Sequence, residues 1–187
     1  MYMPTLRRHW TVEDLEELPS DGCRYEIIGG ELLVTPAPTY RHQAAVGELF
    51  RRLYDYVLQH GVGYVFGAPI DLEFSRDSVV QPDVAVLPLV NGKRPESFND
   101  VRRVLLAVEV VSPSSARADR VEKRDLYRTE RVGEYWIVDL DSRTIDRSVP
   151  SDARIEVHDE QITWKCEGAT EPFVLDLTNY FARVLDA

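Results

Sequence analysis

The chain has 187 residues, 44% of them hydrophobic and 29% charged, with a formal net charge of -10. That length suits one sizeable core, a single domain over residues 1–187, and the acidic balance argues against a generic polyanion binder without excluding a local basic surface. No apolar stretch approaches the ~20 residues of a membrane helix, the opening MYMPTLRRHW lacks the apolar core of a secretory signal, and Cys23 and Cys166 match no metal spacing, so a reducing cytoplasm is the simplest compartment.

In chain order, TVEDLEEL (11–18) predicts a short helix capped by Thr11, with Asp14 completing an imperfect capping box and Pro19 as the stop. RYEIIGGELLVTPAP (24–38) predicts a β-hairpin turning at Gly29-Gly30. A long helix follows over 39–61, where Ala45, Leu49, Leu53, Tyr56 and Val57 recur at helical spacing and Gly61 is the C-terminal cap. Residues 63–75 and 79–88 are strand-like, and so is the run from Val104 to Val111. A helix is expected from about Ala116 to Val132, with Ser114 or Ser115 as N-cap. Two more strands occupy 134–149 and 154–166, and a strand, turn and short helix close the chain over 173–187. This order predicts an α/β (α+β) architecture, a mixed sheet with helices on its faces.

One glutamate stands out. Within LLAVEVV, alternation puts Leu105, Ala107, Glu109 and Val111 on one side of a strand and Leu106, Val108 and Val110 on the other. Both sides are apolar, which predicts a central strand covered on both faces. A carboxylate buried there costs several kcal/mol unless a cation or hydrogen-bond donors meet it.

Other residues could supply the compensation or join the chemistry. Asp83 follows Pro82 ahead of an apolar strand, and two converging acids would suit Mg²⁺ or Mn²⁺; alone, Asp83 reads equally well as a turn cap. Lys123 could steady charge on a phosphate or orient a water, or simply pair in solvent with Asp119 four residues earlier. Glu26 in the hairpin could be a further ligand or a surface strand residue. Arg117, Arg120, Arg124, Arg128 and Arg131 fall on one helical stripe that could follow a phosphate backbone, although Glu122, Asp125 and Glu130 could equally make it a solvated face. His42, inside a helix, reads as a packing or capping residue.

In their order, RYEIIGGELLVTPAP, RHQ, VVQPDVAV, LLAVEVVSPSSARADRVEKRDLY and VGEYWIVDLD resemble the bacterial Uma-two family of restriction endonucleases, within the PD-(D/E)XK nuclease superfamily. The resemblance runs from about Thr11 to Leu185. It implies a restriction-endonuclease-like core, Asp83 and Glu109 as metal-binding acids with the Val110 carbonyl as a third ligand, and Glu26 as an additional acid. The superfamily often places lysine two residues after the second acid. Here Val111 stands there, and the resemblance implies that Lys123 takes the role from the following helix. The hairpin turn departs from the family's Asp-Gly by reading Gly29-Gly30. The implied activity is Mg²⁺- or Mn²⁺-dependent hydrolysis of phosphodiester bonds, in DNA, with Arg117, Arg120 and Arg124 as nucleic-acid contacts and a homodimer as the plausible assembly. A competing expectation is a nuclease-like fold serving as a nucleic-acid-binding or protein-interaction module with little catalysis, which the acidic net charge favours.

Overall fold

The structure, a computed structural model, describes residues 8–152 and 154–186. It opens with one helical turn, α1 (Val12–Leu15), where the Asp14 carboxylate accepts the Thr11 N–H at 2.9 Å. The helix expected over 11–18 stops there. Strands β1 (Arg24–Ile28) and β2 (Glu31–Thr35) pair antiparallel, with Ile28 opposite Glu31 across the two glycines. Gly29 and Gly30 have φ of 56° and 77°, the left-handed pair that a two-residue hairpin turn of this hand requires. Helix α2 (Tyr40–His60) begins where the Thr39 hydroxyl accepts the His42 N–H at 3.2 Å and ends at left-handed Gly61. Its buried stripe is the predicted one, with His42 added at its start.

The strand-like stretches that follow divide. Residues 63–75 hold β3 (Tyr64–Gly67) and β4 (Leu72–Ser75), and residues 79–88 fall into β5 (Ser78–Val80) and β6 (Val84–Leu87). In each case the chain crosses from one sheet to another, at the Ala68–Asp71 turn and at the Gln81-Pro82-Asp83 corner. Proline cannot donate to a ladder, so a break at Pro82 is physically natural. Strand β7 (Leu106–Val110) is buried at every residue, as its two-sided apolar pattern predicts. The helix after it begins past a reciprocal pair: Ser112 Oγ accepts the Ser115 N–H at 3.3 Å, and Ser115 Oγ accepts the Ser112 N–H at 3.2 Å. Ser112 and Ser115 cap each other, with Ser115, as expected, directly ahead of the first helical residue, Ala116. A π-helical segment (Ala118–Lys123) then runs into α3 (Arg124–Thr129).

The remaining chain forms β8 (Glu134–Asp139), β9 (Thr144–Ser148), β10 (Glu156–His158), β11 (Gln161–Trp164), β12 (Phe173–Asp176) and α4 (Leu177–Leu185). The regions 134–149 and 154–166 thus each hold two strands where one was expected. Six strands form the main sheet in the order β10-β9-β8-β7-β6-β3, with β7 and β8 parallel and the other pairs antiparallel. A second sheet has the order β2-β1-β5-β4, and β11 pairs with β12.

Two apolar clusters divide the faces of the main sheet. One packs Leu106, Val108 and Val110 of β7 against α2, α4 and the β11–β12 hairpin. The other packs Ala107 of β7 and Ile137 of β8 against Tyr127 of α3 and Leu72 and Val80 of the second sheet. Glu109 belongs by alternation to the second face. No described helix is long and apolar enough to cross a membrane.

Candidate active site

Three elements deliver carboxylates to one place. The Gln81–Asp83 corner, where the two sheets part, carries Asp83. Glu109 comes from β7, beside β6 in the main sheet. Glu26 comes from β1, whose Ile27 pairs with Val79 of β5. All three are at most 2% exposed, as are Asp119 and Lys123 from the π-helical segment. Burial at this level is tolerable only if the charges meet partners.

Lys123 is the central partner. Its Nζ lies 2.8 Å from Glu109 Oε1, 2.8 Å from Glu26 Oε1 and 3.5 Å from Asp119 Oδ1. The pairing with Asp119 expected of a solvated helical lysine is present, but both groups are buried, and Asp119 Oδ1 has no hydrogen-bond partner. Glu26 also accepts the Gln81 N–H at 2.6 Å, a backbone donor at the Pro82 break. Glu26 is therefore a buried residue and not a surface one. The hydroxyl of Tyr127 reaches Glu109 Oε1 at 3.4 Å.

Asp83 is held by a different set. Its Oδ2 accepts the Val110 N–H at 2.8 Å and lies 3.1 Å from His42 Nε2. Its Oδ1 meets Arg24 Nη2 at 2.8 Å, while Arg24 Nη1 lies 3.8 Å from Glu109 Oε2 and donates to the Gln81 carbonyl at 2.9 Å. One guanidinium thus spans the two acids. His42 is buried against Asp83, and its Nδ1 has no hydrogen-bond partner.

These surroundings push the titrations apart. Burial raises the Glu109 carboxyl well above its ordinary range; Lys123 opposes this, while Asp119, Asp83 and Glu26 add to it. Burial likewise raises Asp119. Burial also acts on Asp83, but the His42 hydrogen bond and charge, then Arg24 and the Val110 N–H, carry it below the ordinary value. Burial alone would lower the Lys123 ammonium, yet Glu109, Glu26 and Asp119 hold it well above its usual value. Its acidic neighbours thus favour the charged form of Lys123.

The π-helical segment matters to this geometry. Asp119 and Lys123 are its two buried residues, and the Tyr135 hydroxyl donates to the Asp119 carbonyl at 3.0 Å. It also breaks the predicted arginine stripe, because residues spaced for 3.6 per turn no longer align. Arg120 turns back onto Asp139 and Asp146, Arg117 pairs with Glu122 at 3.3 Å, and Arg124 and Arg128 line a small cleft with Asp125 and Pro150. Arg131 lies beyond α3 at φ 56°.

The sequence pattern named Asp83, Glu109, Lys123 and Glu26. It missed Arg24, Asp119, Tyr127 and Tyr135, and it took His42, which meets Asp83, for a packing or capping residue. Arg24 had a readable signal, since it shares a face of β1 with Glu26 by period-two alternation. The aromatic hydroxyls had none, because tyrosines in an apolar pattern read as core. Among the described residues, no three His, Cys, Asp or Glu side chains converge as a group that could hold a metal by themselves.

Against known proteins, the family model Uma2, described as "Putative restriction endonuclease", matches residues 12–176. Among solved structures, the chain is similar to "a putative nuclease belonging to DUF820" from Anabaena variabilis ATCC 29413, with 21% identity, a TM-score of 0.77, and coverage of 94% of this chain and 99% of that one. At that identity the likeness speaks for the fold, a mixed α/β nuclease fold. No curated protein matches the chain. The family match spans β1 through β12 and includes Glu26, Asp83, Glu109 and Lys123, and on it the chain belongs to the Uma2 family of restriction-endonuclease-like proteins.

Proposed function

We propose that the protein is a divalent-metal-dependent endonuclease that hydrolyses phosphodiester bonds in DNA, with Asp83, Glu109 and the Val110 carbonyl as ligands for Mg²⁺ or Mn²⁺. The observation that carries this reading is the approach of Asp83 and Glu109 to one shared cation, the Arg24 guanidinium, at 2.8 and 3.8 Å. The make-up of the cluster agrees with it. Four buried carboxylates, Glu26, Asp83, Glu109 and Asp119, gather around two cationic side chains, Lys123 and Arg24, so the cluster is rich in acidic oxygens. Two carboxylates and a main-chain oxygen form an incomplete cage, and this suits Mg²⁺, which retains several waters.

A divalent ion held there would polarise a phosphate oxygen and lower the pKa of a bound water. The chain's own groups do the rest. Lys123, held between Glu109 and Glu26, orients a water and offsets charge developing on the phosphate. Glu26 holds that side chain in place. The Tyr127 hydroxyl and the Val110 N–H each donate to one of the two ligand carboxylates. Arg117, largely in solvent where the chain enters the helix after β7, could meet a neighbouring phosphate, whereas Arg120 is already committed to two acids. A homodimer would let one site per copy cut each strand.

The test is cleavage of supercoiled plasmid and of single-stranded DNA with Mg²⁺ or Mn²⁺, comparing wild type with Glu109→Gln and Lys123→Met. Metal-dependent cutting that falls by about 10²-fold or more in each folded variant is the expected result. Cutting that survives in both variants would place the chemistry elsewhere. Metal binding without cutting by the wild type would favour a binding module.

A further inference from the structure

We infer that Arg24 is the resident counter-ion of the Asp83–Glu109 pair, which a divalent metal displaces and which then holds a substrate phosphate. This rests on the metal-dependent reading above and assigns a residue to it. Each carboxylate is held from behind by one oxygen. Asp83 Oδ2 takes the Val110 N–H and His42, and Glu109 Oε1 takes Lys123 and Tyr127. The opposite oxygens, Asp83 Oδ1 and Glu109 Oε2, both face the Arg24 guanidinium. A metal held by Asp83 and Glu109 would compete with Arg24 for this pair. A guanidinium and a dication cannot share it, because like charges at that separation repel strongly in a site of low dielectric.

Arg24 is also the cation with a way out. Its side chain is 19% exposed, against 3% for Lys123. It begins β1, where its backbone is pinned opposite Thr35, so the side chain can turn outward without disturbing the hairpin. Outside, the planar guanidinium matches a phosphate in bidentate fashion, which a lysine there would not.

The experiment is a Mn²⁺ titration by calorimetry without nucleic acid, on wild type, Arg24→Met and Glu109→Gln. It is followed by binding of a phosphorothioate-linked DNA duplex with and without Mn²⁺. Arg24→Met should bind Mn²⁺ about tenfold more tightly than wild type, since a competing charge is gone. It should bind the duplex about tenfold more weakly with metal present and little differently without it. Equal or weaker Mn²⁺ binding by Arg24→Met, with wild type binding and Glu109→Gln not, would overturn the inference and leave the nuclease reading standing. No Mn²⁺ binding by any of the three would overturn both. If Arg24→Met does not fold, the Arg24 Nε–Hε NMR signal of the wild type decides. It should move on saturation with Mg²⁺, and an unmoved signal would overturn the inference.

Discussion

At Lys123 the stability of the fold and the proposed chemistry meet. It is the cation that makes Glu109 and Glu26 tolerable inside the protein, at 2.8 Å from each. Lys123→Ala should therefore cost about 3–5 kcal/mol in urea unfolding, because it leaves buried carboxylates uncompensated. The double variant Lys123→Met/Glu109→Gln should recover part of that loss, since it removes both charges of one pair. Additive losses in the double variant would show that the two side chains are not coupled. Asp83 and Glu109 were legible as residues because an acid in or beside an apolar strand is costly and conspicuous. Arg24 carried only the weak signal of sharing a face of β1 with Glu26, and an arginine at the start of a hairpin strand is ordinary until the fold turns it inward.

At the scale of elements, the close parallel pairing of β7 and β8 depends on Gly133, just ahead of β8. A Cβ there would lie 2.5 Å from the Leu105 carbonyl oxygen. Gly133→Ala should lower stability by about 1–3 kcal/mol, read as a drop in the denaturant midpoint. The far end of β8 is closed by Asp139, which accepts the Asp141 and Ser142 N–H groups at 3.0 and 3.1 Å and Arg120 Nη2 at 2.7 Å. Burial opposes its ionisation, but these donors bring its carboxyl below the ordinary value. A carboxyl lowered in the folded state contributes stability above the unfolded pKa and loses it as pH falls through the folded one. The deficit of Asp139→Asn should therefore be full near pH 7 and shrink by about pH 3, as compared by urea unfolding at both. A deficit unchanged with pH would mean that shape rather than charge matters at this corner.

For the whole molecule, metal binding at the proposed Asp83–Glu109 site should couple to folding, because only the folded chain brings the two acids together. Mg²⁺ at about a hundredfold above its Kd should raise the unfolding free energy by about 2.7 kcal/mol, visible as a higher Tm, and Glu109→Gln should lose that response. A Tm indifferent to Mg²⁺ in the wild type would count against the proposed site. The net charge of -10 sets the background for any encounter with DNA, so attraction must come from local groups and not from the overall field.

Local pattern determined a good deal by itself. The Gly29-Gly30 hairpin, the capped helix α2 with its apolar stripe, the two-sided burial of β7 and the acids at Asp83 and Glu109 all rest on neighbours in sequence, where periodicity and turn chemistry act directly. Partnership was decided only in three dimensions. Nothing local says that β5 and β6 join different sheets, that Glu26 is buried against Lys123, or that a π-helical segment with Asp119 buried interrupts the arginine stripe. These features come from strand pairing and helix packing between distant segments, and their energies exist only once the sheets have formed.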